Sequence, residues 1–290
     1  MTKPSLGQSN SLPHISPFNA ALGAEISNID LSAGLTDTQF AVVEAAFLKY
    51  HVLVFRKQPL SDEQHLGFAG RFGELEGHIN KSTHHKKHAG VQVFSNVKND
   101  GSTTGTHPDF GTLVWHTDKS YVANPSLTTV LRSPSIASKG GDTLFVNTHA
   151  AFDDLDVGTK QKIDGLKAVH EWQRSREKVG ERPATAEEIA SAPPVVHPLA
   201  RTHPVTGRKC IYAGSHVSHI VDMDKEEGQK LLDELETHST QAKYIYTHKW
   251  QVDDVMMWDN RSTMHCVTPY DAALEKRAVH RVVVKGDKPV

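Results

Sequence analysis

The sequence predicts a mainly β fold with inserted helices, a double-stranded β-helix or jelly roll. Two observations predict it. Short β-branched or aromatic runs, among them His51-Val-Leu-Val-Phe55, Leu127-Thr-Thr-Val-Leu-Arg132 and Val255-Met-Met-Trp258, recur along the chain between turn residues. The helical stretches are few and irregularly placed, unlike the strict alternation that builds a parallel α/β sheet. No internal repeat stands out.

Taken in order, residues 1–16 are polar and contain Pro and Ser, which suits a flexible N-terminal arm; residues 17–290 are expected to form a single domain. Thr36-x-x-Gln39 has the form of a capping box, and Phe40, Val43, Phe47 and Tyr50 then recur at helical spacing. His51 to Phe55 reads as a buried strand, and a second capping box, Ser61-x-x-Gln64, opens a helix running to Phe72. Residues 73–112 form a long polar insertion around one strand-like piece, Val91 to Ser95. Such a connection suits an active-site loop. Its histidines His84, His85 and His88 are interrupted by lysines and read as a solvated surface. Beyond Leu127–Arg132 come the turn Gly140-Gly-Asp-Thr143, a strand from Leu144, a helix over His149–Leu166 and a strand over Ala168–Trp172. A charged insertion at 176–194 has the composition of a lid. Cys210–Tyr212 and Tyr244–Tyr246 read as strands, the helix Asp224–His238 lies between them, and a strand over Arg277–Val284 closes the chain.

A length of 290 residues allows a substantial core. The formal net charge of -2, without a basic block, argues against nucleic acid as partner. No apolar run is long enough for a membrane span, and no signal peptide is evident at the start. Two cysteines are too few for a disulfide scaffold, so a cytoplasmic setting is expected.

The chemistry concentrates in Leu113-Val-Trp-His-Thr-Asp-Lys-Ser-Tyr121. In a strand, His116 and Asp118 would project from one face. An imidazole and a carboxylate at that spacing supply two ligands of a two-His-one-carboxylate site, the arrangement of non-haem Fe(II) oxygenases, which leaves other positions open. His265 is the candidate third ligand, 149 residues downstream of His116, so the fold must bring distant segments together.

Trp115-His-Thr-Asp118, Gly140-Gly-Asp-Thr143, Trp258-Asp-Asn-Arg261 with His265, and Arg277-x-x-x-Arg281 occur in one order. Together they resemble the Fe(II)/2-oxoglutarate-dependent dioxygenases of the taurine dioxygenase and chlorophenoxyacetate dioxygenase family. Phe55-Arg, Phe72-Gly-Glu-Leu, Arg201-Thr-His-Pro204 and Gly286-Asp287 extend the resemblance from about residue 18 to the C-terminus.

The resemblance implies His116, Asp118 and His265 as ligands of Fe(II), with 2-oxoglutarate as co-substrate and O2 as oxidant. It implies that Arg277, aided by the Thr143 hydroxyl, binds the far carboxylate of 2-oxoglutarate; the competing role for Arg277 is pairing with Glu275 or solvent. Arg281, on the same strand face, would meet the anionic group of a small organic substrate such as a carboxylate or sulfonate. His78 matches a substrate-contacting histidine of taurine dioxygenases, and Lys81 a lysine of the chlorophenoxyacetate enzymes. Ser175 and Arg176 fall near a segment that lines the substrate, where Arg176 departs from the family's usual aromatic. Lys119 and Tyr121 are further candidates for the pocket wall. Trp115, Trp258, Asp259 and Asn260 are expected to play structural parts. The implied reaction oxidises a C–H bond by hydroxylation, with or without later cleavage, or by desaturation, and releases succinate and CO2. A homo-oligomer, dimer or tetramer, is also implied. A metal-dependent hydrolase on the same triad is the alternative, but it leaves Arg277 and Thr143 without a ligand; a silent jelly-roll binding protein has no need of an open metal position.

Overall fold

The computed structural model describes residues 11–76, 88 and 90–290. In chain order its elements are β1 His14–Pro17, β2 Ala24–Ser27, α1 Asp37–Tyr50, β3 Val52–Phe55, α2 Asp62–Ala69, β4 Leu75–Glu76, β5 Gln92–Ser95, β6 Ser126–Ser135 and β7 Thr143–Asn147. There follow α3 Thr148–Asp153, α4 Val157–Ile163, β8 Lys167–His170, α5 Trp172–Lys178, α6 Ala186–Ser191, β9 Val195–Pro198, β10 Ala200–Thr202, β11 Lys209–Ile211 and β12 Val217–Ile220. The chain ends with α7 Lys225–Ser239, β13 Ile245–His248, β14 Val255–Asp259, β15 Thr263–Val267 and β16 Ala278–Lys285. Among the described residues no helix is long and apolar enough to cross a membrane.

Alternation along the central strands decides which residues fill which layer. In β3 and β14, Leu53, Phe55, Val255 and Met257 face outward onto α1 and α2, where they join Val43, Phe47 and Phe68 in one core. Their neighbours Val52, Val54, Met256 and Trp258 face the opposite way and pack with Leu131 and Phe145. That second core lies between two sheets. One runs β1-β2-β3-β14-β6-β16-β4, with β5 also on β16; the other is β13-β7-β15. They are the two halves of the jelly roll. In β7 and β15, Val146 and Met264 turn outward to a third core with Leu231 and Leu235 of α7. Phe145 therefore points into the barrel, where it stacks on His265 at 5.8 Å between ring centroids.

Local rules fix the element ends. Both capping boxes form: the Thr36 and Ser61 hydroxyls accept from Gln39 N and Gln64 N, and each glutamine side chain reaches back. Helix α1 stops at His51, which adopts φ 65° and returns its N–H to Phe47 O, so the strand starts one residue later than expected.

Other differences also have local causes. The helix expected over 149–166 is two helices, because Asp156 caps a new start through Thr159 N. The strand expected to reach Trp172 ends at His170, and Trp172 opens α5. Strand β1 pairs with β2, so ordered backbone begins within the segment expected to be a loose arm. Inside the 73–112 insertion, β4 and β5 both pair with β16, which ties this connection to the main sheet.

Candidate metal centre and active site

The main correction concerns residues 113–121, which are not a strand. His116 makes an isolated antiparallel bridge with His265, and the chain then turns through residues 118–121 with Lys119 at φ 55°. The juxtaposition expected of a strand survives for a different reason. The bridge (His116 N to His265 O 3.0 Å, His265 N to His116 O 2.8 Å) locks the two histidines together, and the turn carries Asp118 back beneath them.

All three side chains are buried, at 7%, 3% and 5% exposure for His116, Asp118 and His265. One donor atom from each lies within 4.8 Å of the others. His116 Nδ1 donates to Val114 O at 2.8 Å, which leaves Nε2 as its lone-pair nitrogen. Nε2 of His116 and of His265 each lie 3.9 Å from an Asp118 oxygen. Burial, then the neighbouring His116, drives the His265 imidazole well below its ordinary range, so it is neutral as a ligand must be. Burial alone would raise the Asp118 carboxyl, but Arg281, both histidines and the Thr129 hydroxyl together hold it below the usual range. Two imidazoles and one carboxylate around a common point fit Fe(II).

A supporting layer orients this set. Thr129 Oγ1 donates to Asp118 Oδ2 at 2.5 Å and accepts from Asn260 Nδ2 at 3.1 Å. Asn260 Oδ1 in turn accepts from Trp258 Nε1 and from Asp118 N, at 3.0 and 3.3 Å. Asn260 thus plays the structural part expected of it by tying Asp118 to Thr129 and Trp258. The turn itself is held by Asp259, whose carboxylate takes Arg261 Nε and Nη2 at 2.8 and 2.7 Å and His203 Nε2 at 3.0 Å.

Two lobes adjoin the triad. One is lined by Leu131, Thr143, Trp258, Val267, Val279 and Arg277, among others. Arg277 is 5% exposed and, among the described residues, makes no ion pair with a carboxylate. Glu275, the competing partner, is instead occupied by Ser138 N and Oγ at 2.7 and 2.6 Å. Arg277 is seated through its backbone by Asn96, whose Oδ1 accepts Arg277 N at 2.8 Å. Gly140 and Gly141 both have φ near +70°, and a Cβ on Gly141 would lie 3.1 Å from Arg277 Cδ and Nε. Thr143 Oγ1 accepts from Trp250 Nε1 at 3.0 Å. An unpaired buried guanidinium needs an anion, and this lobe fits a dicarboxylate.

The second lobe is walled by Phe94, Lys119, Tyr121, Trp172, His216 and Arg281, with Ser175 and Arg176 also lining it. Arg281 borders both lobes and donates to Asp118 Oδ1 at 3.2 Å. Arg176 is engaged, pairing with Glu181 at 2.9 Å and stacking on Trp172. His78 and Lys81, with His84 and His85, lie outside the described residues. Sequence reading missed Thr129, Phe94 and His216. Ser120 Oγ lies 3.0 Å from His216 Nδ1, and the His216 ring meets Tyr121 edge-on at 4.9 Å. Gly214-Ser-His216 follows β11 as an ordinary turn, and only its contact with the His116 segment (Ser215 N to Trp115 O 2.8 Å) reveals its position.

Comparison with known proteins agrees with this geometry. Residues 14–283 match the family model described as taurine catabolism dioxygenase TauD, TfdA family. The chain is 34% identical over 282 residues to the alpha-ketoglutarate-dependent 2,4-dichlorophenoxyacetate dioxygenase of Cupriavidus pinatubonensis, covering 94% of this chain and 98% of that one. It is 32% identical over 286 residues to the (S)-phenoxypropionate/alpha-ketoglutarate-dioxygenase of Sphingobium herbicidovorans, covering 94% and 95%. The crystal structure of AAD-2 in complex with Mn(II) and N-oxalylglycine superposes with a TM-score of 0.87 at 35% identity, covering 96% of this chain and 98% of that one. The chain belongs to the TauD/TfdA family and is a dioxygenase that uses Fe(II), 2-oxoglutarate and O2.

Proposed function

We propose that His116, Asp118 and His265 are the Fe(II) ligands, that Arg277 and Thr143 receive the far carboxylate of 2-oxoglutarate, and that a small organic acid is oxidised in the lobe bordered by Arg281. The observation that carries this assignment is the pairing of three converging ligand atoms with a buried arginine in the adjoining lobe that, among the described residues, forms no ion pair with a carboxylate. When bound, iron and 2-oxoglutarate supply the O2-dependent oxidation of a C–H bond with release of succinate and CO2.

The chain's own residues do the rest. Arg277 fixes one end of the co-substrate by charge and paired donors. Leu131, Trp258, Val267 and Val279 make that lobe apolar and limit water around the reacting groups. Thr129 and Asn260 hold the Asp118 carboxylate in register. Arg281 orients the acid so that its C–H bond faces the metal side. The phenoxyacetate and phenoxypropionate in the names of two relatives support an aryl-ether acid as the first substrate to try. Residues 17–290 would act as one catalytic unit, and the unpaired thiols of Cys210 and Cys266 suit a reducing cytoplasm. Association as a dimer or tetramer follows from the family resemblance alone.

The direct test is succinate release from 2-oxoglutarate with and without Fe(II) and O2, in the native enzyme and Asp118→Ala. Release that needs both and disappears in the variant supports the assignment. Equal release from Asp118→Ala contradicts it.

A further inference from the structure

Besides Arg281 and Arg176, the latter paired with Glu181, a third cationic side chain lines the substrate lobe. Arg281 is partly committed to the protein: Nε donates to Gln92 Oε1 at 2.8 Å, Nη1 to Asp118 Oδ1 at 3.2 Å, and its Cζ lies 4.8 Å from the centre of the Phe94 ring. Guanidinium grips an oxyanion best through two parallel N–H donors. With Nε–H and one Nη1–H engaged, three of the five N–H donors of Arg281 remain for a ligand, and part of its charge is already offset by Asp118. An acidic group with two or more oxygens can take a second cation beside it.

Lys119 is placed to be that cation. It directly follows Asp118 in the left-handed region, φ 55°, a conformation uncommon for a non-glycine residue. The turn directs its side chain inward, where it is 4% exposed and lines the same lobe as Arg281. Its Nζ lies 2.8 Å from Glu76 Oε1 of β4. A lysine is seldom buried this fully, and a surface role would not call for it. An ammonium carries three N–H donors and can hold Glu76 and a substrate oxygen together.

We propose that Lys119 is a specificity-determining residue: Lys119 and Arg281 each take one oxygen of the substrate's acidic group, while the apolar part lies against Phe94, Tyr121 and Trp172. This deepens the dioxygenase reading and rests on it. Because the two cations sit on different segments, the grip is a bridge and not a planar fork. Loss of Lys119 therefore weakens acids and leaves uncharged analogues unaffected.

Lys119→Met alone would strand the Glu76 carboxylate, so the informative variant is Lys119→Met/Glu76→Gln, which removes both charges. The native enzyme and this variant are loaded anaerobically with Fe(II) and 2-oxoglutarate. Each is then titrated with 2,4-dichlorophenoxyacetate, 2-phenoxypropionate, hexyl sulfate and the methyl ester of the first, following the change each causes in the visible iron–2-oxoglutarate band. We expect at least one acid to perturb the native band and to bind the double variant tenfold or more weakly, with 2-oxoglutarate affinity and ester binding unmoved. Lys119→Arg should lie within a few-fold of native for that acid. Equal acid affinity in the native enzyme and the double variant overturns the proposal, as does a native band that no acid perturbs. Failure of the band to form in the native enzyme would instead overturn the cofactor reading beneath it.

Discussion

His116 and His265 are joined twice through their backbones, at 3.0 and 2.8 Å, and their rings lie 4.1 Å apart between centroids. One comes from the turn after the long insertion and the other from β15. The bridge means that the candidate ligand set does not depend on a mobile side chain meeting a distant partner; the sheet edge itself sets the spacing. The hydrogen bonds that support the set can be tested separately from the ligands.

Thr129 is the nearest such support. Thr129→Val removes the donor to Asp118 Oδ2 and the acceptor for Asn260 Nδ2 while conserving shape. Fe(II) affinity should fall by roughly 10- to 100-fold, the usual effect of losing a partner that orients a metal ligand. Isothermal titration under anaerobic conditions checks this. Unchanged affinity would show that the Asp118 orientation is set by Arg281 and the turn alone.

Arg277→Ala should raise the 2-oxoglutarate requirement by roughly thirtyfold or more, in line with truncating one partner of a buried charged pair at about 2–5 kcal/mol. Substrate affinity, read separately, should change little. Arg281→Ala should show the reverse order of effects. Steady-state kinetics with each ligand varied in turn distinguishes the two, and exchanged phenotypes would reverse the assignment of the lobes.

Acid stability follows from histidines remote from the site. Burial lowers His51 and His149 to about 4, and burial followed by the nearby Arg132 lowers His65 to about 3. The unfolded chain takes up these protons near pH 6.5, whereas the folded chain resists them until pH 3–4. Stability is thus fully present above pH 6.5 and is lost as pH falls from there toward the folded values, by about 1.4 kcal/mol per pH unit for each group. Urea midpoints should hold between pH 7.5 and 6.5 and fall steadily from there to pH 5, and His65→Gln should flatten that slope by about one group's share. A flat profile would contradict the burial of neutral imidazoles.

Backbone strain makes a sharper structural prediction. A Cβ at Gly140 would lie 2.2 Å from Pro269 O with φ at +71°, whereas one at Gly165 meets nothing within 4 Å at φ +82°. Gly165→Ala should cost about 1 kcal/mol from φ alone. Gly140→Ala should cost more than that and also weaken 2-oxoglutarate, because the same turn passes Arg277. Thermal melts and 2-oxoglutarate titrations of both variants check the order.

Much of this was legible in the residues, for identifiable reasons. Capping boxes and β-branched runs depend on a few neighbouring residues, so Thr36–Gln39, Ser61–Gln64 and Val52–Phe55 could be read locally. His116, Asp118 and His265 were legible through ordered motifs, although the element that carries the first two was read as a strand. A single bridge followed by a left-handed residue has the same alternating look in sequence. Thr129 and His216 were not legible. Thr129 sits in an unremarkable Thr-Thr run of β6, and its hydroxyl matters only because β6 lies beside β14 in the sheet. His216 depends on a loop meeting the His116 turn, which no local pattern encodes.

The most direct test of the central claim is an anaerobic titration of the metal-free protein with Fe(II) and then 2-oxoglutarate, watching for the weak visible charge-transfer band of the ternary complex. The account expects one equivalent of Fe(II) to bind and the band to appear on adding 2-oxoglutarate in the native protein and in Arg281→Ala. It should appear only at much higher 2-oxoglutarate in Arg277→Ala and not at all in Asp118→Ala. Fe(II) binding without a band would contradict the assignment of the Arg277 lobe, and a band of native intensity in Asp118→Ala would contradict the triad itself.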